Sequence, residues 1–162
     1  MGISSCLLRG PEDAFERLLT DPDAVQALLG SEPLPDWEML DLGELWHGIH
    51  WLLAGSTWDG ALPAAFLVTG GHPLTESLSE YQVRGFRPAE VSRIAELLQG
   101  ISRDSLQARF DPDAMDSAGI LPEEFWGQEP EAFDLVLEYF EPMRCFMITA
   151  GQTRQAVLVL GA

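Results

Sequence analysis

Apolar residues recur at three- and four-residue steps most persistently near the C-terminus, where Phe133, Val136, Leu137, Phe140, Met143 and Met147 form one stripe. That period marks an amphipathic helix. Pro130 suits its first turn, and Glu129, Glu131 and Asp134 suit the positive end of its dipole. Pro142 removes a backbone donor within the stripe. Because the stripe continues past it, the pattern predicts a kinked helix reaching Gly151; the alternative is a helix ending at Glu141, with Met143 to Thr149 extended. A second periodic stretch, Val91, Ile94, Leu97 and Leu98, is opened by Arg87-Pro88-Ala89-Glu90 and stopped by Gly100. A third runs from Asp41 to Gly55, with Asp41 and Glu44 spaced as a capping box and Gly55 as the stop. On that helix Leu42, Leu45, Trp46, Ile49, Leu52 and Leu53 share one broad arc with His50 at its edge, while His47 and Trp51 fall on the opposite side. Gly48 lies between the two faces, where a missing side chain lets another group come close.

Shorter patterns fill the rest. Ile3 to Leu8, Tyr81 to Phe86 and Gln155 to Leu160 read as strands, and the last is a Val/Leu run. Helix starts stand at Pro11, at Asp21-Pro22, at Ser102 and at Asp111-Pro112. Ala61 to Thr69 reads as a short helix, Gly70 to Leu74 as a turn, Glu76 to Glu80 as a helical turn and Ile120 to Gly127 as a connector. Terminal strands with helices between them predict an α+β fold. The expectation is one mainly helical domain over 1–162, with a small mixed or antiparallel sheet that includes the N- and C-terminal strands.

Charge changes the picture most. Asp and Glu number 26 against nine basic residues, for a net charge of −17, and every basic residue is arginine. A basic face for nucleic acid is therefore disfavoured, and an acidic surface favours basic partners. Without lysine there is no Schiff-base chemistry and no lysine phosphate loop. No run of about 18 apolar residues offers a membrane span. The N-terminus reads as a first strand, not a signal peptide. Cys6 and Cys145 sit in apolar sequence and read as buried thiols of a reduced, cytoplasmic protein, with a bridge between them left open.

The order of these pieces resembles the YfbM-like family of bacterial proteins, a domain of unknown function. The resemblance is carried by Met1-Gly2-Ile3, Trp46 through Gly55, Pro73-Leu74, Tyr81 to Phe86 running into Pro88-Ala89-Glu90-Val91, and Leu106-Gln107-Ala108-Arg109-Phe110-Asp111. Met115, Ile120-Leu121-Pro122 with Trp126, and the closing helix and strand complete it. It covers nearly the whole chain and implies a compact α+β fold in a cytoplasmic bacterial protein. It implies no reaction and no catalytic residues.

The residues offering chemistry are few. His47 and His50, three apart, could face one metal, but no spacing supplies the further ligands zinc needs, so neither a metal nor another cofactor is expected. Ser56, Thr57 and Ser77 lack a nucleophile elbow or a paired base. Gly70-Gly71 is too short to cradle a phosphate. Trp46, His47, His50, Trp51, His72, Tyr81 and Arg84 could meet as an aromatic-walled ligand pocket. Arg109, beside Phe110 and Asp111, reads as a structural ion pair or cap. Two functions follow. The first is a non-enzymatic interaction domain whose acidic surface selects a basic protein, an immunity-like inhibitor of a basic effector being one form. The second is a small-molecule-binding protein or enzyme with a Trp/His pocket around residues 46–51. Oligomeric state is open.

Overall fold

The computed structural model describes residues 4–30, 36–76 and 81–161. The strands are β1 (Ser5–Gly10), β2 (Glu38–Gly43), β3 (His72–Pro73), β4 (Gln82–Phe86) and β5 (Ala156–Gly161). The helices are α1 (Glu12–Thr20), α2 (Pro22–Gly30), α3 (Trp46–Ala54), α4 (Pro88–Gln99), α5 (Arg103–Arg109), α6 (Pro112–Ser117) and α7 (Ala132–Gln152). The strands form one sheet in the order β2-β1-β5-β4-β3, antiparallel at every pairing. The expected α+β fold with paired terminal strands is therefore present, and its sheet is antiparallel.

Both faces of the sheet are covered, and this explains the sequence of β5. Antiparallel sheets open to water on one side alternate apolar and polar residues, whereas a strand covered on both sides reads as a continuous apolar run. In β5, Leu158 faces a smaller core with Leu8 and with Phe15 and Leu18 of α1. Its neighbours Val157 and Val159 face the main core with Leu7 and with residues of α3, α4 and α7. The row Leu40, Leu7, Val159, Arg84 crosses the sheet in register.

The caps read from sequence hold for several helices. Ser102 accepts from the Ser105 amide at 3.1 Å and Asp111 from the Ala114 amide at 3.1 Å. Pro88 and Pro112 stand in the first turns of α4 and α6. α7 continues through Pro142 to Gln152, so the extended alternative for Met143 to Thr149 is not realised. Phe140, Met143 and Met147 are buried along it.

Four expectations need correction. Asp41 does not cap a helix: it lies in β2, a strand absent from the sequence reading, and α3 begins only at Trp46. The Asp41 carboxylate instead accepts from the Gly43 amide at 2.7 Å, closing an Asx turn, and Gly43 has a φ of 58°. Ala61 to Thr69 forms turns, not a helix. His72 and Pro73, read as part of a turn, form the short edge strand β3. Cys145 is exposed and Cys6 half-buried, and both are free thiols. Of Glu76 to Glu80, only Glu76 lies within the described residues. Among the described residues no helix is long and apolar enough to cross a membrane.

Candidate functional site

α3 is buried on every side except its last turn. Gly55 ends it in the left-handed region at φ 71°, with its amide bonded to the Trp51 carbonyl at 2.8 Å. The missing side chain of Gly48 is filled by the ring of Trp126: a Cβ there would fall inside contact distance of Cη2 and 2.6 Å from Cζ2. Trp126 is held in turn. Its indole N–H donates to the Ile120 carbonyl at 2.9 Å, and its amide donates to Asp116 at 3.1 Å.

The two histidines of α3 are fully buried but differ in their partners. His47 uses both ring nitrogens: Nε2–H donates to the Thr57 carbonyl at 2.6 Å, and Nδ1 accepts from the Leu121 amide at 2.9 Å. These bonds fix the neutral tautomer and pin two loops to the second face of the helix. Burial holds its pKa below the ordinary imidazole value, with the Thr57 bond pulling partly back. Neither nitrogen of His50 makes a well-formed hydrogen bond, although the Asp59 main chain lies close enough to act on the ring. Burial, then the neighbouring His47, depresses its pKa to about 4, while the main chain and carboxylate of nearby Asp59 pull partly back.

Three of the seven candidate ligand residues come together here. Trp46 stacks on His47 with ring centroids 5.0 Å apart, and His50 follows 6.4 Å beyond His47. The sequence reading omitted Trp58, which lies 4.2 Å from the His47 ring and 5.8 Å from Trp46, and is 54% exposed. The other four have different surroundings. Trp51 is half-buried against the main core. Tyr81 is exposed. His72 lies against Phe15 and 3.5 Å from Glu90. Arg84 donates to the carbonyls of Gly70 at 2.8 Å and Phe66 at 3.0 Å, and burial lowers its pKa to about 10. Among the described residues no group of three or more His, Cys, Asp or Glu side chains is arranged to hold a metal ion. Burial, and then Asp41 opposite it in register, push the Cys6 thiol up, away from the reactive thiolate.

Charge is distributed unevenly. From Phe110 to Met143 the chain carries ten carboxylates and no basic residue. Eight of the ten are exposed, and among the described residues only Asp134 pairs with an arginine, Arg103 at 3.0 Å. Several scarce arginines serve the backbone instead. Arg109 donates to the Leu52 and Leu53 carbonyls at 3.0 and 2.6 Å, capping the negative end of α3. Arg144 donates to the Ile101 and Gln99 carbonyls at 3.1 and 3.2 Å. The sequence-level sign of this acidic region was plain: no basic residue stands between Arg109 and Arg144.

Residues 1–160 match the family model for DUF1877, a domain of unknown function. Among solved structures, the crystal structure of YfbM from Escherichia coli, a protein of unknown function, aligns with a TM-score of 0.76 at 18% identity. The alignment covers 98% of this chain and 99% of that one, and at such identity the likeness is one of fold. No curated protein matches the chain.

Proposed function

The chain belongs to the DUF1877 family, a domain of unknown function, and we propose that it works in the bacterial cytoplasm as a non-enzymatic domain that binds a basic protein partner. The observation carrying this reading is the unneutralised stretch from Phe110 to Met143, with ten carboxylates, no basic residue and eight of the acids exposed. A concentrated field of one sign speeds encounter with the opposite sign and rejects like-charged competitors. An immunity-like inhibitor of a basic effector is one form such a protein takes. The sealing of His47 and His50 from solvent supports binding at the outer surface over chemistry at these residues.

The test compares two variants of equal charge. One carries Glu123→Gln, Glu124→Gln, Glu131→Gln, Glu138→Gln and Glu141→Gln. The other carries Glu12→Gln, Asp13→Asn, Asp21→Asn, Asp23→Asn and Glu96→Gln. Each is used as bait in extract at about 0.1 M salt, where the screening length is roughly 10 Å. The expected result is a discrete basic protein retained by the wild type and the second variant and lost by the first. Equal loss from both variants, or capture of no discrete species, overturns the reading.

A second reading, a small-molecule site around residues 46–51, draws on one observation: both nitrogens of buried His50 lack a well-formed hydrogen bond, and the half-exposed Trp58 lies tilted against the neighbouring His47 ring, 4.2 Å away. A metabolite that quenches tryptophan fluorescence saturably in the wild type but not in His50→Leu would favour it.

A further inference from the structure

A cleft of about 140 Å³ lies between the 61–63 turn and the first half of α4, lined by Leu62, Pro63, Phe86, Glu90, Arg93 and Ile94. Its apolar part is well supported. Phe86 and Ile94 belong to the main core. Leu62 is 49% exposed, and its side chain lies over Gly70, where a Cβ would meet Leu62 Cδ1 at 2.6 Å. Its polar part is two opposite charges one helical turn apart. Residues at i and i+3 share a helix face, so a Glu and an Arg so spaced are within reach of each other. Glu90 and Arg93 do not. Glu90 is drawn toward the N-terminus of its helix, where Oε1 accepts from the Arg87 amide at 3.0 Å and lies 3.5 Å from His72 Nε2; its Oε2 takes part in neither contact. Arg93 is exposed and pairs with no carboxylate among the described residues, in a chain where acids outnumber arginines 26 to nine.

We propose that this cleft binds a small apolar α-amino acid, with its carboxylate on Arg93, its ammonium on Glu90 and its side chain against Phe86, Ile94 and Leu62. Three considerations select that class. The volume is below the roughly 300–1,000 Å³ of sites for drug-sized molecules, so nucleotides and larger cofactors are excluded. A guanidinium offers a planar fork matched to a carboxylate. A chain of net charge −17 repels free anions, whereas a zwitterion carries no net charge and meets both signs at once. The site is separate from the acidic stretch and does not depend on it.

The experiment is calorimetric titration of the full chain with L-leucine, L-methionine and L-phenylalanine, with leucinamide and N-acetylleucine as ligands lacking one charge. Saturable binding of at least one amino acid is expected, with both leucine derivatives weaker. Arg93→Gln should weaken binding about ten- to a hundredfold, the range for a lost hydrogen bond to a charged group. Glu90→Gln should weaken it similarly while keeping the helix cap, since glutamine serves that role. Arg154→Gln, an exposed arginine at the turn after α7, should bind as the wild type. No saturable binding at about 10 mM of any of the three overturns the proposal. So does binding unchanged by Arg93→Gln in a variant whose circular dichroism matches the wild type. Tighter binding of leucinamide would assign the cleft to an amine, and of N-acetylleucine to an acid; either result also overturns it.

Discussion

Replacing His50 with leucine removes a buried imidazole whose nitrogens make no well-formed hydrogen bond and puts an apolar side chain of similar size at a buried position of α3. Leaving a polar group buried and unpaired costs about 1–3 kcal/mol, so the variant should be more stable than the wild type by that order near pH 7.5. The effect of pH separates this reasoning from a simple packing gain. In the unfolded chain a histidine titrates near its ordinary value of about 6.5, whereas folded His50 holds out to about 4. Between those values the unfolded state binds a proton that the folded state refuses, so wild-type stability falls as pH falls. The slope approaches about 1.4 kcal/mol per pH unit, and the full loss over the interval is roughly 3 kcal/mol. The carboxylates also protonate at low pH, which relieves the repulsion of a −17 chain, but they are common to both proteins. The assay is urea unfolding by tryptophan fluorescence at about pH 7.5, 6 and 5, taking the difference between variant and wild type. That difference should be flat above about pH 7 and wider by roughly 2 kcal/mol at pH 5. A leucine variant less stable than wild type at pH 7.5, or a difference that does not widen in acid, refutes the reading of His50 as a neutral, unpaired side chain.

Three further outcomes follow from the same geometry. Gly48→Ala gains up to about 1 kcal/mol of helix propensity but drives a methyl into the Trp126 ring; a net loss of about 1–3 kcal/mol is expected in urea unfolding, and a gain would show that the ring can move. Arg109→Ala removes both bonds to the carbonyls at the end of α3 and should cost about 1–3 kcal/mol, seen as a lower melting temperature; an unchanged transition would make the cap ornamental. Raising salt from about 0.02 to 0.2 M should raise the wild-type melting temperature by screening acidic self-repulsion, with a smaller rise for the variant neutralised between residues 123 and 141; equal rises would mean that the charge is spread evenly.

Much of the fold was legible because its markers are local. The caps at Ser102 and Asp111, the prolines at 88 and 112, the stripe of α7 and the apolar run of β5 each lie within a few residues of what they specify. Asp41 shows where local reading ends. Asp41 and Glu44 have capping-box spacing, and Leu42 and Leu45 extend the apolar arc of α3 without a break, yet the chain is a strand to Gly43. Leu42 and Leu45 are buried in the observed structure as they would be in the longer helix, so burial does not separate the two conformations. The deciding partner is β1, some thirty residues earlier, which pairs with β2 from Ser5 through Arg9. The same limit governs the candidate site. Helical spacing placed His47 away from the apolar arc, but the carbonyl of Thr57 and the amide of Leu121 bury that face, and neither belongs to the helix.

The acidic surface was half legible in the same sense. A net charge of −17 is a property of composition, but whether it makes a surface depends on where the nine arginines spend their donors. Had Arg84, Arg109 and Arg144 been paired with carboxylates, three negative charges would be masked. They donate instead to the carbonyls of Phe66, Gly70, Leu52, Leu53, Ile101 and Gln99, part-buried main-chain acceptors except for the exposed Gln99. A neutral donor at those three positions would serve the backbone but make the chain more acidic still. An arginine there adds a cation whose guanidinium is turned toward the backbone, so the exposed carboxylates from Asp111 to Glu141 stay almost unopposed. The fold's demand for long-reaching donors and the surface's excess of acid are therefore one arrangement, and removing Arg109 or Arg144 should weaken the fold before it alters the affinity for the proposed basic partner.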